Sequence, residues 1–495
     1  MKKAVLINIP LTESLYPSAS LAAIVPVFKR NGYEVNVVDL NVELFNEFND
    51  TFADQIYDWC QITRALDESA MAHLHTWLNN KISMIENLHP TVLAVSVFSL
   101  HSINFANVFL PLLKKKFPNL DIIVGGSGIS SDLGALTAKK PYGEYLLEKN
   151  FCDHAIFGEG EISLDHLLNG LSHPGIDHND PVQIDDLDLL DPPDYSLFDF
   201  AKYRDNRLLI TGSRGCVRHC TFCDIDLTWP KFKYRSPEHR VQEIIDHSKK
   251  YGIKRFEFTD SLINGSVSGW IKFNELLIEA KQKDRDLEDI TYSGQFICRE
   301  LQSQPSIMYE LMHYAGARQI TVGIESFSES VRNDMKKKFS DAAIDYHLEQ
   351  CGRWAIPNIF LMIVGYPTET VEDHQRNIDA LQKYKIYSDM GVIFMIRWGL
   401  TMHIYRDTPL FKNANQYGID IAQRAELDAL YTWTSTLNPG LDFIERVRRR
   451  IELYLESHRL GYSQPNGRSE LSALISLLKN YQPSSARHFE IKKST

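Results

Sequence analysis

Short apolar runs separated by amphipathic stretches form the pattern of the first third of the chain. Lys3–Ile9 and Thr91–Phe98 are mostly apolar and of strand length, whereas Ser18–Asn31 repeats its apolar residues at helical spacing before Gly32. Strands that alternate with helices predict a doubly wound parallel sheet. The pattern continues with strands at Tyr33–Val38, Asp121–Gly126 and His154–Glu159 and with helices at Asn104–Lys116 and Ile162–Leu171.

A long segment between the second and third predicted strands breaks this regular alternation. Val42–Leu88 spaces Trp59, Leu74 and Trp77 as on helices. It therefore predicts a helical insertion whose main role is packing. A lid over the strand ends is the alternative, because long insertions near a sheet edge are often functional.

After about residue 200 the strand–helix alternation resumes. Six units within about 200 residues predict a partial (β/α)6 barrel rather than a full eight-fold one, with active residues at the strand carboxyl ends. The six predicted strands are Leu208–Gly212, Phe256–Asp260, Ile290–Phe296, Gln319–Glu325, Asn358–Val364 and Gly391–Arg397.

From about residue 411 the strand pattern is lost, which predicts a small helical carboxyl-terminal segment. Ile444–His458 has a strong helical pattern and contains four arginines, namely Arg446, Arg448, Arg449 and Arg450. A solvated helix face is the ordinary interpretation of such a charge run, and docking of an acidic substrate is the alternative.

The predicted organisation is a sheet domain at 1–172, an acidic linker at 173–200, a barrel at 201–410 and a helical segment at 411–495. The many aspartates of the linker favour a solvated surface over a metal site. A net charge of −11 argues against nucleic-acid binding. The seven cysteines, three of them in one motif, are typical of a reducing cytoplasm, and no apolar run is long enough for a membrane span.

The most specific chemistry lies in Gly212–Cys223, where Cys216, Cys220 and Cys223 are spaced C-x3-C-x2-C. Three thiolates on one tight loop suit three corners of a cubane iron–sulfur cluster and leave the fourth iron open. Basic side chains of the loop, Arg214, Arg218 and His219, would place positive charge near an anionic cluster. The alternatives are unliganded thiols, or zinc with Cys298 or Cys351 as a fourth ligand.

The cysteine loop resembles the signature of the radical S-adenosylmethionine (SAM) superfamily, including Phe222 before the third cysteine. The resemblance implies a 4Fe–4S cluster whose open iron chelates the methionine amino and carboxylate groups of SAM. It further implies reductive cleavage of SAM to a 5′-deoxyadenosyl radical. The electron would come from an external donor of the flavodoxin or ferredoxin type.

The ends of the next two barrel strands are also similar to this family. Asp260 and Ser261 stand where many members have a G-G-E turn that contacts the methionine amine, so the chain departs from the commonest pattern there. After the third strand, Arg299 would pair with the methionine carboxylate. A surface ion pair is the equally open alternative for Arg299.

The fourth and fifth strand ends resemble the family's G-x-E-S and G-x-P-x-E-T turns. In Gly323–Ser326 the resemblance implies that Glu325, with Ser326, accepts hydrogen bonds from the ribose, and a structural salt bridge is the alternative. Backbone from Ile363 to Gly365 would flank the adenine. The sixth strand ends at Arg397-Trp398, which would face the substrate.

The first domain resembles the cobalamin-binding, Rossmann-like domain that precedes many radical enzymes. The resemblance rests on Pro17–Arg30, on Ser96 with Gly125-Gly126, and on the turn Gly158–Glu161. Paired glycines after a strand admit a nucleotide tail against bare backbone. The first strand is not followed by D-x-H-x-x-G, so the chain lacks the family's lower axial histidine.

Together these features predict a cobalamin-dependent methyl transfer to an unactivated carbon of a small-molecule substrate. The alternatives are a cobalamin-free radical lyase or oxidoreductase, and a non-catalytic iron–sulfur or corrinoid sensor. No sequence feature identifies a catalytic residue or the substrate itself.

Overall fold

Two parallel sheets carry the fold in the computed structural model, which describes residues 2–10, 15–48, 50–60, 66–131, 140–421, 432–464 and 474–475. The first sheet has the order β2-β1-β3-β4-β5 and the second the order β13-β12-β11-β10-β9-β6. Every neighbouring pair in both sheets is parallel. The predicted fold class is therefore confirmed.

The strands are β1 (Lys2–Asn8), β2 (Tyr33–Asp39), β3 (Val92–Ser96), β4 (Asp121–Gly125), β5 (His154–Ile156), β6 (Leu208–Ile210), β7 (Ser213–Arg214), β8 (Lys233–Tyr234), β9 (Arg255–Phe258), β10 (Thr291–Phe296), β11 (Ala317–Glu325), β12 (Asn358–Val364) and β13 (Ile393–Thr401). Only β7 and β8 were not expected; they form a short antiparallel pair.

The α-helices are α1 (Ala19–Arg30), α2 (Leu40–Glu47), α3 (Asp50–Cys60), α4 (Glu68–Asn87), α5 (Ile103–Lys116), α6 (Tyr142–Glu148), α7 (Gly160–Leu168), α8 (Ile225–Thr228), α9 (Pro237–Tyr251), α10 (Val267–Lys283), α11 (Ser306–Ala315), α12 (Glu329–Asp334), α13 (Asp341–Arg353), α14 (Val371–Lys383), α15 (Lys385–Asp389), α16 (Pro409–Lys412) and α17 (Phe443–Arg459). Within the described ranges, no helix combines the length and the apolar character that a membrane crossing requires.

The segment between β2 and β3 is helical, as the spacing of its apolar residues predicts. Leu74, Trp77 and Ile82 on α4 are buried in the same apolar core as one face of the first sheet. This packing supports the structural interpretation of the insertion.

The opposite face of the first sheet shares its core with the second. On α1, Leu21, Val25 and Phe28 are buried in one cluster with Leu208 and Ile210 of β6. Hydrophobic contact of this extent fixes the two sheets relative to each other.

The carboxyl edge of the first sheet faces the barrel, because both ends of this edge contact residues at the start of the barrel. At one end the Tyr203 hydroxyl donates to Asp39, which ends β2, at 2.8 Å. At the other end, Glu159, which follows β5, pairs with Arg214 at 2.8 Å. Ligands of doubly wound sheets bind at this edge, so the edge lies where a ligand could meet the barrel.

Most aspartates of the acidic linker are exposed, and several of them also form ion pairs or hydrogen bonds. Asp194 accepts from Lys29 of α1 at 2.6 Å, and Asp185 pairs with Lys233 of β8 at 2.7 Å. Asp188 accepts from the backbone N–H of Ser236 at 2.9 Å. These carboxylates thus tie the linker to α1 and to the segment that carries β8 and the start of α9.

The arginine-rich helix α17 also differs from expectation, since Arg446, Arg449 and Arg450 are buried and only Arg448 is exposed. The helix packs on β13 and α14. Its arginines therefore belong to the packing of the barrel edge rather than to a solvated face.

Candidate functional site

The cysteine loop lies at the carboxyl end of β6, between β7 and α8. Gly215 has a φ of 82°, and a side chain there would strike the backbone carbonyl of Lys231, so the turn before the first cysteine requires glycine. In the middle of the loop, the N–H of Thr221 donates to the Met335 carbonyl at 3.1 Å, and its carbonyl accepts from Leu410 N–H at 2.7 Å. The loop is thus held from three separate parts of the barrel.

The three cysteines of the loop are close enough to influence one another electrostatically, and none of them is fully exposed. Cys220 is buried, Cys216 and Cys223 are half-buried, and none forms a disulfide. Burial raises the pKa of all three thiols, that of Cys223 to about 12. The thiols therefore keep their protons until a metal displaces them.

A zinc site would need a fourth ligand beside these three thiols. Among the described residues, no group of three or more histidine, cysteine, aspartate or glutamate side chains converges as one metal ion requires. A cubane cluster has no such requirement, because each thiolate binds a different iron. The two cysteines considered as a fourth zinc ligand lie elsewhere, Cys298 bonded to the Ala343 carbonyl at 3.4 Å and Cys351 beside His347 at 3.7 Å.

Two arginines beside Cys216 have unused donors. Arg299 donates from Nη2 to the carbonyls of Asn264 and Gly265, each at 2.8 Å. The Nε atoms of both Arg299 and Arg218 are buried without a hydrogen-bond partner in the described part of the chain. Burial and the nearby charge of Arg218 lower the pKa of Arg299. Unpaired buried guanidinium donors fit the carboxylate of a bound amino-acid moiety.

A buried ion pair joins Glu325 at the end of β11 to Lys337, with Nζ 3.0 Å from Oε1. Glu325 has a φ of 66°, which is rare outside glycine and is typical of strained functional positions. Burial disfavours the charged form of Lys337, but Glu325 and the Cys220 thiol raise its pKa. The Lys337 ammonium lies 6.0 Å from the Phe222 ring centre. A fixed cation therefore stands beside the cysteine loop.

The remaining predicted cofactor residues of the barrel lie around this loop with different partners. Phe222 and Ile363 are half-buried in one apolar cluster with Tyr366. Ser326 is buried, and its hydroxyl donates to Asn377 Oδ1 at 3.3 Å. The Gly365 N–H donates to Glu369 at 3.1 Å. These contacts position the strand ends. That the same residues bind SAM remains a prediction.

Asp260 holds the base of the loop, and Ser261 follows it half-buried. One Asp260 carboxylate oxygen accepts from the Gly212 N–H and the other from the Ser213 hydroxyl, both at 2.7 Å. Burial raises the pKa of Asp260 to about 6. With both oxygens bonded to the loop, Asp260 acts through loop geometry rather than through a free carboxylate.

Replacing Asp260 with asparagine should change how stability depends on pH. The folded protein holds this proton more tightly than the unfolded chain, so the carboxyl contributes stability below pH 4 that is lost as the pH rises to about 6. The loss is on the order of 3 kcal/mol, since each pKa unit corresponds to about 1.4 kcal/mol. Urea unfolding of wild type and D260N between pH 4 and pH 7 measures it, and parallel pH profiles would contradict it.

The edge of the first sheet presents the residues expected to receive a corrinoid. Ser96 is buried beside Ser20, with their hydroxyl oxygens 3.4 Å apart. A Cβ on Gly125 would find only ordinary contacts, at 3.7 Å or more, whereas a Cβ on Gly126 would lie 2.5 Å from the Val97 carbonyl oxygen. Gly125 thus leaves space at the edge. Gly126 is needed for the backbone turn, because its φ of 103° favours glycine.

Two further expectations need correction. The Arg214 guanidinium binds Glu159 and Glu161 rather than facing the thiols. His219 is exposed and bonded to Asp226 at 2.7 Å. Of the three basic loop residues, only Arg218 keeps an unpaired buried donor.

β13 continues to Thr401, beyond the predicted strand end at Arg397-Trp398, and Trp398 does not face the barrel interior. Trp398 is buried, and its indole N–H donates to the Ser457 hydroxyl of α17 at 2.8 Å. Arg397, on the opposite face of the strand, is exposed. Of the two residues expected to face the substrate, only Arg397 is free to do so.

Comparison with known proteins places the barrel and its cysteine loop in a family. Residues 210–381 match the model of the radical SAM superfamily. The chain carries a radical SAM domain. This match supports the predicted superfamily for that part of the chain, and a radical SAM domain implies a 4Fe–4S cluster and SAM as cofactors.

Curated relatives are enzymes of this superfamily's chemistry, which supports an enzyme rather than a sensor. The anaerobic magnesium-protoporphyrin IX monomethyl ester cyclase of Synechocystis sp. is 23% identical over 46% of this chain and 46% of its own length. The cytidylyl-2-hydroxyethylphosphonate methyltransferase of Streptomyces wedmorensis is 26% identical over 34% of this chain and 32% of its own. The chain thus spans less than half the length of these two relatives.

Solved structures extend the likeness in fold to both domains of the chain. The methyltransferase TsrM of Kitasatospora setae, with cobalamin and a [4Fe-4S] cluster bound, superposes with a TM-score of 0.63 at 14% identity over 97% of this chain and 99% of its own. The cobalamin-dependent enzyme OxsB gives a TM-score of 0.65 at 16% identity over 96% and 71%. The fold of both domains is therefore shared with these two proteins.

Sequence reasoning missed Lys337 and Trp229 as residues of the site. Lys337 lies in a run of three lysines, and nothing in such a run distinguishes a buried member from two exposed neighbours. Trp229 follows the cysteine loop, and its indole N–H donates to Glu159 at 3.1 Å. The one feature of the sequence that could have pointed to Lys337 is its position twelve residues after Glu325.

Proposed function

We propose that this radical SAM enzyme transfers a methyl group from a corrinoid to an unactivated carbon of a small-molecule substrate. The observation that carries the proposal is the orientation of the first sheet, whose carboxyl edge faces the barrel through Asp39 and Glu159. A ligand at Gly125 would then lie between the sheet and the cysteine loop. When bound, the cluster supplies the electron that cleaves SAM, and the corrinoid supplies the methyl group.

The residues of the chain bind and orient these groups. Cys216, Cys220 and Cys223 offer three thiolates to a cluster, and the unpaired Nε atoms of Arg218 and Arg299 offer donors to the SAM carboxylate. Half-exposed cysteines let an electron enter from an external donor of the flavodoxin or ferredoxin type.

The substrate side of the barrel supports a small polar molecule. Thr259 and Gln295 are exposed at the carboxyl ends of their strands, and Arg397 is exposed at the barrel edge. These side chains offer a hydroxyl, an amide and a guanidinium to a substrate.

Substitution of Gly125 with valine should remove the corrinoid while the protein still folds. Gly125 lies in a strand, where valine is favoured, and a side chain there enters the space at the sheet edge. Wild type and G125V are purified anaerobically with cobalamin, and corrinoid and iron are measured for each. G126V is a poor probe, since its strained backbone would fail whether or not a corrinoid binds.

Gly440 provides the matched control, because no atom lies within 4 Å of its Cβ position. G440V should retain both iron and corrinoid. S96L tests the same edge independently. Corrinoid retained by both G125V and S96L would contradict the corrinoid assignment and favour a cobalamin-free lyase or oxidoreductase.

Turnover tests the reaction itself. Wild type is incubated with dithionite, SAM and candidate substrates, and S-adenosylhomocysteine, 5′-deoxyadenosine and methylated product are measured. Methyl transfer predicts all three products. Formation of 5′-deoxyadenosine without any methylated product would favour the cobalamin-free alternative.

A further inference from the structure

The turn Gly158–Glu161 of the first domain contacts the cysteine loop of the second. Arg214, two residues before Cys216, places Nη1 2.8 Å from Glu159 and Nη2 against Glu161. The exposed fractions of these three side chains are 13%, 3% and 12%. A guanidinium held by two carboxylates, away from water, has one orientation.

Glu159 also holds the other flank of the loop. The oxygen that binds Arg214 accepts from the indole N–H of Trp229 at 3.1 Å, and Trp229 comes six residues after Cys223. Its second oxygen accepts from the backbone N–H of Ile184 in the linker. One carboxylate of the first domain therefore joins the entry and the exit of the cysteine loop to the linker.

The charges of this contact do not balance. Two carboxylates face one guanidinium, although Arg235 also acts on Glu161 from farther away. Burial opposes ionisation of Glu161, but the charge and hydrogen bond of Arg214 hold its pKa below the usual range. The contact therefore places net negative charge beside the loop.

We propose that Glu159 and Glu161 are positioning residues for the cluster, acting through Arg214 and Trp229 on the loop that carries the three cysteines. The first domain thereby completes the cluster site of the second. This inference rests on the proposed binding of a cluster by Cys216, Cys220 and Cys223, and it adds a role for the first domain that is independent of any corrinoid.

Reactivity of the thiols in metal-free protein measures loop position without any cofactor. Wild type, E159Q, R214Q and R214K are treated with iodoacetamide, and alkylation of each cysteine is followed by mass spectrometry. We expect alkylation at the three loop cysteines to be several-fold faster in E159Q and R214Q than in wild type. The rate in R214K should be intermediate, because lysine keeps the positive charge but cannot bind both carboxylates as the guanidinium does. Alkylation of Cys60 and Cys152 reports on global unfolding.

K29Q is the matched control. The pair of Lys29 with Asp194 also ties the first domain to the linker, but the lysine side chain is 43% exposed and the pair does not touch the cysteine loop. K29Q should alkylate like wild type. Wild-type alkylation of the loop in both E159Q and R214Q, or equal acceleration at Cys60 and Cys152, would overturn the inference.

The midpoint potential of the reconstituted cluster gives a second readout, in which two variants should shift the potential in opposite directions. E161Q removes a negative charge and should raise the potential, whereas R214Q removes a positive charge and should lower it, because net charge near a cluster tunes its potential. A general loosening of the fold would move both variants in the same direction, and that result would overturn a positioning role. Wild type that binds no iron would instead refute the cluster assignment.

Discussion

Alanine at Cys216, Cys220 and Cys223 together should abolish iron binding and the broad absorption near 400 nm. Each of the three thiolates is expected to hold one iron of the cluster, so their removal leaves the cluster without protein ligands. Wild type reconstituted under anaerobic conditions should bind about four irons per chain. Iron analysis and absorption spectra of both proteins measure this effect, which is expected to be complete.

The control for this experiment is C298A, which separates a cluster from zinc. Cys298 is buried against α13 and is expected to have no part in the cluster. C298A should therefore keep wild-type iron. Iron retained by the triple variant would contradict the cluster assignment, and loss of metal from C298A would support a four-ligand site.

Substitution of Arg449 with methionine should produce the largest loss of stability outside the cysteine loop. Arg449 Nη1 lies 2.8 Å from Glu369, and the two side chains are only 4% and 1% exposed. Removal of one partner leaves a buried charge without compensation and costs about 3–5 kcal/mol. Because Glu369 also accepts from the Gly365 N–H, the turn at the end of β12 should loosen as well.

Arg448 is the matched control on the same helix, since its side chain is 68% exposed and pairs only with Glu445 in the described residues. R448M should change the free energy of unfolding by no more than about 0.5 kcal/mol. Urea unfolding followed by circular dichroism compares the two variants. Equal midpoints for R448M and R449M would show that the buried pair contributes nothing to stability.

The double variant E369L/R449M tests the cause of the loss. Replacing both members of a buried ion pair with apolar residues is often neutral. The double variant should therefore recover most of the stability that R449M loses. Failure to recover would indicate that the pair stabilises the fold mainly through its backbone bonds, from Arg449 to the carbonyls of Glu369 and Thr370 and from the Gly365 N–H to Glu369.

The positions of the strands along the chain could be read largely from the sequence. Apolar runs such as Asn358–Val364 became strands with the expected bounds, because a parallel strand buried on both faces must be apolar throughout. Helix starts were also readable where caps are explicit: Ser236 accepts from the His239 N–H at 3.2 Å, and Pro237 begins α9.

The candidate site was predictable where its residues are neighbours in sequence. The spacing of Cys216, Cys220 and Cys223 is enough to predict a metal-binding loop. Glu325 is the last residue of its predicted strand. Arg214 was assigned to the cluster by proximity along the chain, but the structure gives its guanidinium to Glu159, 55 residues earlier. Short separation indicates that residues are near each other, and it says nothing of which partner a long side chain reaches.

By itself the sequence determined the cysteine loop, the two parallel sheets and the helical insertion, because these follow from local spacing and from apolar periodicity. Only the tertiary structure decided which charged residues are buried. Arg449 finds its carboxylate 80 positions away, and Lys337 is buried while the adjacent Lys336 and Lys338 are not. A buried charge is stabilised by a specific partner in space, and the local sequence pattern of a helix or of a lysine run does not identify that partner.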